Sequence, residues 1–344
     1  MSREQELKAP FPYFGGKSMV ADLVWEYLGD VKQFIEPFFG SGVVLLARPP
    51  SKYEQFYEII CDIDGNIANV WRSIQFAPDE VAKWCDWPIS HPDLVARRKK
   101  LMAEEKALIE NLCNDEMYCN PKLAGYWIWA ASCWIGAGLM SQIAGNKRPH
   151  LTRNQGIQSA SPACDRPKGI HSRMPRIASN EGIHSKVPHL TRNQGVSSKE
   201  QDIYDWMRAL SARLRDVKVV CGDWTRVCGG NWQDNNAPVG LFFDPPYASQ
   251  YRDKKIYHCE DLEVALKVEE WVLERGRNPN YRICVAGYDD EYGRLIEAGW
   301  RVEQWSAQGG YSNLGKKDTP CQANRHRERL LFSPYCLKTG LFCK

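Results

Sequence analysis

Residues 241–249 read LFFDPPYAS: three apolar residues run into an aspartate, two prolines and a tyrosine. The pattern is that of a buried strand stopping at a rigid polar corner. Proline has no N–H to give a sheet ladder, so Pro245 and Pro246 end the strand rather than extend it. In an open α/β sheet, ligands bind just beyond such strand ends. The stretch therefore predicts an element and a place for chemistry together. An ordinary exit from strand to loop would read the same way, so the choice rests on the rest of the chain.

Elsewhere the apolar segments alternate in kind. KSMVADLVWEYL (17–28) sets Met19, Val20, Leu23, Val24, Tyr27 and Leu28 on one helical face. QFIEPFFGSG (33–42) predicts a strand running into a glycine turn, and YEIICDIDGN (57–66) a second strand ending in acids. QDIYDWMRALSARLRDV (201–217) has helical periodicity through Ile203, Trp206, Met207, Leu210 and Leu214. Strands follow at 217–224 and 239–247, a helix near 260–276, and strands near 282–289 and 328–335. Alternation of this kind predicts an α/β fold: a mainly parallel, doubly wound, Rossmann-like sheet. Polar corners then fall at four strand ends: Glu36 to Gly42, Asp62 to Asp64, Asp223, and Asp244 to Tyr247. That edge is where such a sheet holds a nucleotide-like ligand.

A different texture occupies the middle. Residues 143–194 fall into four blocks of thirteen, with proline in the seventh place of each: Pro149, Pro162, Pro175 and Pro188. PHLTRNQG recurs at 149–156 and 188–195, a true repeat. The blocks hold nine Lys or Arg against Asp165 and Glu181, giving +7 inside a chain whose total is +3. A segment this rich in Gly, Pro, Ser and Asn buries little apolar surface. It is either a solvated loop or a polyanion-contacting surface, and the concentrated charge favours the second. Lys147, Arg148, Arg153, Arg173, Arg176, Lys186 and Arg192 are the candidate phosphate contacts, with Arg325 added from a second basic loop, GKKDTPCQANRHRER.

Two further classes are weighed. LAGYWIWAASCWIGAGLM (123–140) carries no charge over 18 residues, close to the length a spanning helix needs. It is the only such stretch and is rich in Gly, Ala, Ser and Trp, which favours a buried core helix, so no membrane association is expected. The thirteen cysteines are scattered without metal-ligand spacing, and MSREQELKAP is too polar for a secretory leader. Reduced thiols, a cytoplasmic location and no metal are the expectation.

In EPFFGSG, Gly40 and Gly42 let backbone approach a ligand closely. The turn lacks the third glycine of a dinucleotide fingerprint and the lysine of a P-loop. Asp62 ends the next strand, in the place of a ribose-binding carboxylate, so an adenosine-containing cofactor fits.

Taken in order, PFPYFGGK (10–17), FIEPFFGSG (34–42), CDID (61–64), CGDW (221–224) and DPPY (244–247) resemble the alpha-group, Dam-like DNA adenine-N6 methyltransferases. The tail, QGGYSN through RERLLFSPYC, and the tryptophan-rich run are similar to phage-encoded members. The resemblance implies a catalytic domain over 1–83 and 201–344, with an inserted target-recognition region over 84–200. It implies S-adenosylmethionine as cofactor and double-stranded DNA as partner. Tyr13, Gly16 and Lys17 would line the methionine side, with Tyr13 standing where relatives often carry Trp. Glu36, Phe38, Gly40 and Ser41 would form the cofactor turn. Asp62 would hold the ribose hydroxyls, Ile63 would pack on the adenine ring, and Asp223 would meet its amino group.

The resemblance also gives DPPY a task. An adenine amino nitrogen is a poor nucleophile because its lone pair is delocalised into the ring. Asp244 and the Pro245 carbonyl would each accept one of its N–H bonds and localise that pair, with the prolines holding the carbonyl in place. Tyr247 would stack on the base, which must leave the duplex to reach it. The alternatives are cytosine-N4, RNA or protein glutamine as substrate, or a DNA-binding protein that keeps the fold without catalysis. The aspartate and the motif order stand against cytosine-N4 and glutamine, RNA stays an open alternative, and the acids at Asp62, Asp223 and Asp244 stand against the last.

Overall fold

The computed structural model describes residues 7–11, 17, 19–135, 139–140, 149–152, 156–159, 169–170, 203–229, 238–246, 263–288, 291–305 and 327–337. In chain order its elements are α1 (Ala21–Leu28), β1 (Gln33–Glu36), α2 (Val43–Leu46), β2 (Tyr57–Asp62), α3 (Gly65–Phe76), α4 (Pro78–Cys85), α5 (His91–Asn114) and α6 (Pro121–Cys133). Short strands follow: β3 (Trp134–Ile135), β4 (Pro149–Thr152), β5 (Gly156–Ser159) and β6 (Gly169–Ile170). Then come α7 (Ile203–Leu214), β7 (Val217–Cys221), α8 (Thr225–Cys228), β8 (Val239–Phe243), α9 (Val264–Arg275), β9 (Tyr281–Tyr288), α10 (Gly293–Glu297), β10 (Arg301–Gln304) and β11 (Glu328–Phe332). The chain divides into two compact units. One takes Tyr13–Ile63, Asp216–Lys254 and Cys259–Lys344, the other Met1–Pro12, Asp64–Arg215 and Lys255–His258.

The first unit carries a seven-stranded sheet in the order β10-β11-β9-β8-β1-β2-β7. Strands β9, β8, β1, β2 and β7 are parallel, while β11 and β10 are antiparallel additions at one edge. Both faces are covered, which is why β1 and β8 are buried at every position instead of alternating. On β1, Phe34 packs toward α1, its ring 4.7 Å from that of Trp25. The next residue, Ile35, joins the opposite core, with Trp224, Phe243, Val268 and Val272. Helix α9 presents Ala265, Val268, Glu269 and Val272 inward at helical spacing. The α/β, doubly wound architecture expected from the sequence is what the chain adopts.

Strand order reverses between β1 and β8, so the carboxyl ends of these neighbours flank the crevice where open α/β sheets hold ligands. Glu36 is the last residue of β1, and Asp244 follows the last residue of β8. The ends of β2 and β7 lie on the same edge, because all four strands run in parallel.

The second unit is helical. Helices α3, α4, α5, α6 and α7 supply its core, and Phe11 inserts against Trp71 and Trp127 with ring centroids 5.7 and 4.8 Å away. All five apolar positions predicted for α7 are buried: Ile203, Trp206, Met207, Leu210 and Leu214. Residues 84–200 lie inside this unit, which also takes in α3 and α7. Of the uncharged stretch at 123–140, residues 123–133 belong to α6, a 13-residue helix capped by Asn120 and buried on nearly every side. No described helix is long and apolar enough to cross a membrane. In the repeat region, β4 pairs antiparallel with β5, and β6 pairs with β3.

Three details differ from expectation. Helix α1 begins at Ala21, not Lys17, and Met19 is 60% exposed instead of sharing the apolar face. Lys17 lies outside the helix, its side chain buried in an ion pair described below. The antiparallel β10 was missed, since RVEQ has only one strongly apolar residue. The run of helices α3 to α5 also went unread.

Candidate active site

The site is built from ends of strands. After β8, Asp244 leaves the sheet and Pro245 and Pro246 stop the ladder, as their chemistry requires. Lys17 Nζ meets Asp244 Oδ2 at 3.0 Å, and the lysine side chain is only 3% exposed. The ammonium also lies 5.6 Å from the centroid of the Trp305 ring, within cation–π range.

At the end of β1 the chain turns through Gly40 and Gly42, with φ of 48° and 65°. These are left-handed values that favour glycine, and a Cβ on Gly42 would sit 2.4 Å from the Phe39 ring. The turn is tied down at both ends. The Gly40 N–H donates to Asp62 Oδ2 at 2.9 Å, and the Phe39 N–H to the Cys61 carbonyl at 3.0 Å. Glu36 Oε2 accepts from the Leu45 N–H at 3.2 Å. The Gly222 N–H donates to the Asp62 carbonyl at 2.9 Å, joining the β7 corner to the β2 corner.

Electrostatics concentrate around Asp244. Burial pushes the Glu36 carboxyl well above the usual carboxylate range; the Leu45 N–H opposes this, while Asp244 and Glu58 add to it. Glu328, at the start of β11, is raised to about 7, chiefly by burial, with Lys17 pulling down and Asp244 pushing up. Its Oε2 is buried with no hydrogen-bond partner among the described residues, as is Trp305 Nε1. The charge of Asp244 thus raises both Glu36 and Glu328, at the ends of β1 and β11, while Lys17 lowers Glu328. Neither Glu328 nor Trp305 was singled out from sequence. A glutamate opening an apolar strand between two arginines, in RERLLF, was the available signal.

The remaining predicted residues divide clearly. Phe38 is half in the core, its ring 6.3 Å from both Trp224 and Phe243. Ser41 is buried beside the glycine turn, and Ile63 is 49% exposed just after Asp62. Asp223 Oδ1 accepts from the N–H and the hydroxyl of Thr225, at the start of the short α8. Tyr13, Gly16, Tyr247, Lys147, Arg148, Arg153, Arg173, Arg176, Lys186, Arg192 and Arg325 lie outside the described residues. A separate small cavity, lined by Tyr288, Tyr292, Ile296, Val302, Arg329 and Leu331, contains none of the predicted site residues. The described residues include no cluster of three or more His, Cys, Asp or Glu arranged to hold a metal ion.

This donor set suits a ligand bearing hydroxyls, a flat ring and positive charge. Carboxylates stand at the ends of β1, β2, β7 and β8, the glycine turn allows close approach, and Ile63 offers an exposed apolar side chain. Residues 13–90, under a quarter of the chain, match the family model described as D12 class N6 adenine-specific DNA methyltransferase. The match takes in the glycine turn and Asp62 and stops well short of Asp244. No curated protein matches the chain.

Proposed function

We propose that this protein transfers a methyl group from S-adenosylmethionine to the N6 amino group of adenine in double-stranded DNA. The observation that carries the reading is the position of Asp244-Pro245-Pro246: it ends the strand adjacent to the β1 glycine turn, at the reversal of strand order. The similarity over residues 13–90 supports the same chemistry from the other side of the crevice.

The residues fit the cofactor. Gly40, Ser41 and Phe38 would cradle it, Asp62 would take the ribose hydroxyls, and Ile63 would cover the adenine face. Asp223 would receive the adenine amino group, and Tyr13 and Gly16 would line the methionine end. When bound, the cofactor supplies an electrophilic methyl group on a sulfonium centre. The protein's own contribution is to orient and polarise the acceptor. Asp244 and the Pro245 carbonyl accept the two amino hydrogens of a flipped adenine, which localises the nitrogen lone pair toward the methyl donor. Lys17, its buried ammonium 3.0 Å from Asp244 Oδ2, would hold that carboxylate in place. Tyr247 stacks on the base, and fixing both reactants in one crevice supplies much of the rate.

Target recognition falls to residues 84–200 in this reading. Arg148, Arg153, Arg173, Arg176, Arg192, Lys147, Lys186 and Arg325 contact phosphates, which position the enzyme without specifying sequence.

The test is direct. The purified protein is incubated with S-adenosylmethionine and unmethylated duplex DNA, the DNA is digested to nucleosides, and the products are identified by mass spectrometry. N6-methyladenine formed by the native protein and lost in Asp244→Ala is the expected result. Cofactor binding without a methyl on any DNA base would overturn the reading and direct attention to RNA or protein glutamine.

A further inference from the structure

Trp305 has no role in the reaction as described, yet it sits against the site's lysine. Strand β10 runs antiparallel to β11, and β11 antiparallel to β9, so β10 ends on the same edge of the sheet as β8. Trp305 follows the last residue of β10 and is 8% exposed. Its backbone N–H donates to the Glu328 carbonyl at 3.5 Å, which ties it to β11. The indole Nε1 is buried without a hydrogen-bond partner among the described residues. An unbonded buried donor costs free energy that phenylalanine or leucine at this place would not incur. What the indole offers instead is its face, the best of the aromatic rings for a cation.

That face meets Lys17. The ammonium lies 5.6 Å from the ring centroid and 3.0 Å from Asp244 Oδ2, on a side chain that is 3% exposed. A lysine carries its charge on a flexible stem with three rotatable donors, so an ion pair alone sets its position loosely. A ring held at the end of a paired strand removes much of that freedom. We propose that Trp305 is a positioning residue for Asp244. Its indole face holds the Lys17 ammonium where it meets the carboxylate, and so sets the orientation of the acceptor for an amino hydrogen. The kinetic consequence rests on the adenine methyltransferase reading, but the contact itself does not. Neither requires Lys17 or Asp244 to lack other partners.

Two measurements on the full-length protein test it. The first needs no catalysis. In protein labelled with carbon-13 lysine, the ε-methylene resonance of Lys17 is assigned by its disappearance in Lys17→Met. Its protons should be shifted upfield by the indole ring current, and the shift should be lost in Trp305→Leu. A Lys17 signal that does not move in Trp305→Leu overturns the proposal. The second is single-turnover methyl transfer in a double-variant cycle. Trp305→Leu should slow the native enzyme roughly two- to thirtyfold, with Trp305→Phe, which keeps an aromatic ring at the strand end, falling between. In the Lys17→Met background neither substitution should slow the reaction further. A merely structural role would slow both backgrounds by the same factor, and that result overturns the proposal. If the native protein methylates nothing, the adenine reading fails while the lysine resonance still decides the contact.

Discussion

At the scale of single residues, the crevice shows how burial sets charge. Glu328 has its ordinary carboxyl affinity in the unfolded chain and a raised one, about 7, in the folded protein. The folded state therefore binds the proton more tightly. The stability this group contributes is fully present below about pH 4.5 and is lost as pH rises through about 7. Glu328→Gln, neutral at every pH, should match the native protein in stability near pH 4.5 and exceed it above pH 7. The gain should be on the order of 3 kcal/mol at most. Urea unfolding midpoints at pH 5 and pH 8 would measure it, and a difference that does not change with pH would count against the raised affinity.

Elements show a different kind of buried charge. Helix α5 is long and mostly solvated, with Leu94, Arg97, Leu101 and Leu108 buried along one side. Arg97 is enclosed by the rings of Trp87, Tyr126 and Trp129 at 4.7, 4.3 and 4.5 Å, and its Nη1 donates to the Trp84 carbonyl at 2.9 Å. Trp129 is held in turn by its Nε1 donating to the Trp87 carbonyl at 3.0 Å. The guanidinium thus joins α4, α5 and α6 into one cluster, through ring faces and a carbonyl. Arg97→Ala would empty the cage and leave that carbonyl unpaired, at a cost of roughly 2–4 kcal/mol in denaturant unfolding. A loss under half a kcal/mol would show that the cage is ornamental. The same element explains the uncharged stretch that spans a membrane's length on paper. Helix α6 ends at Cys133 and spends its tryptophans on Arg97, Phe11 and neighbouring helices.

For the whole molecule, the distribution of charge is the testable feature. The repeats hold +7 in a chain of +3. Replacing Arg148, Arg153, Arg173, Arg176 and Arg192 by Gln should weaken DNA binding. The logarithmic salt slope should fall by about 0.9 for each arginine that touches a phosphate. The sheet unit lies outside that segment, so S-adenosylmethionine binding should be unchanged. Filter binding from low to moderate salt checks this, and an unaltered slope would remove the repeats as the phosphate surface.

What the chain determined by itself was local. The apolar runs, the prolines after Phe243, the left-handed glycine turn and the acids at strand ends are properties of neighbouring residues. They were legible because strand, turn and helix each impose a short period or a specific backbone requirement. The five inward positions of α7 and the corner at Asp244 came from such signals alone. Contacts between residues far apart in sequence were not legible that way. Lys17 looked like the start of a helix, and only folding shows it buried on Asp244. Glu328 looked like the first residue of a strand, and only antiparallel pairing of β11 with β9 brings its carboxyl into the field of Lys17. Burial, charge sharing and proton affinity depend on what the sheet order places side by side, and no window of sequence contains that order.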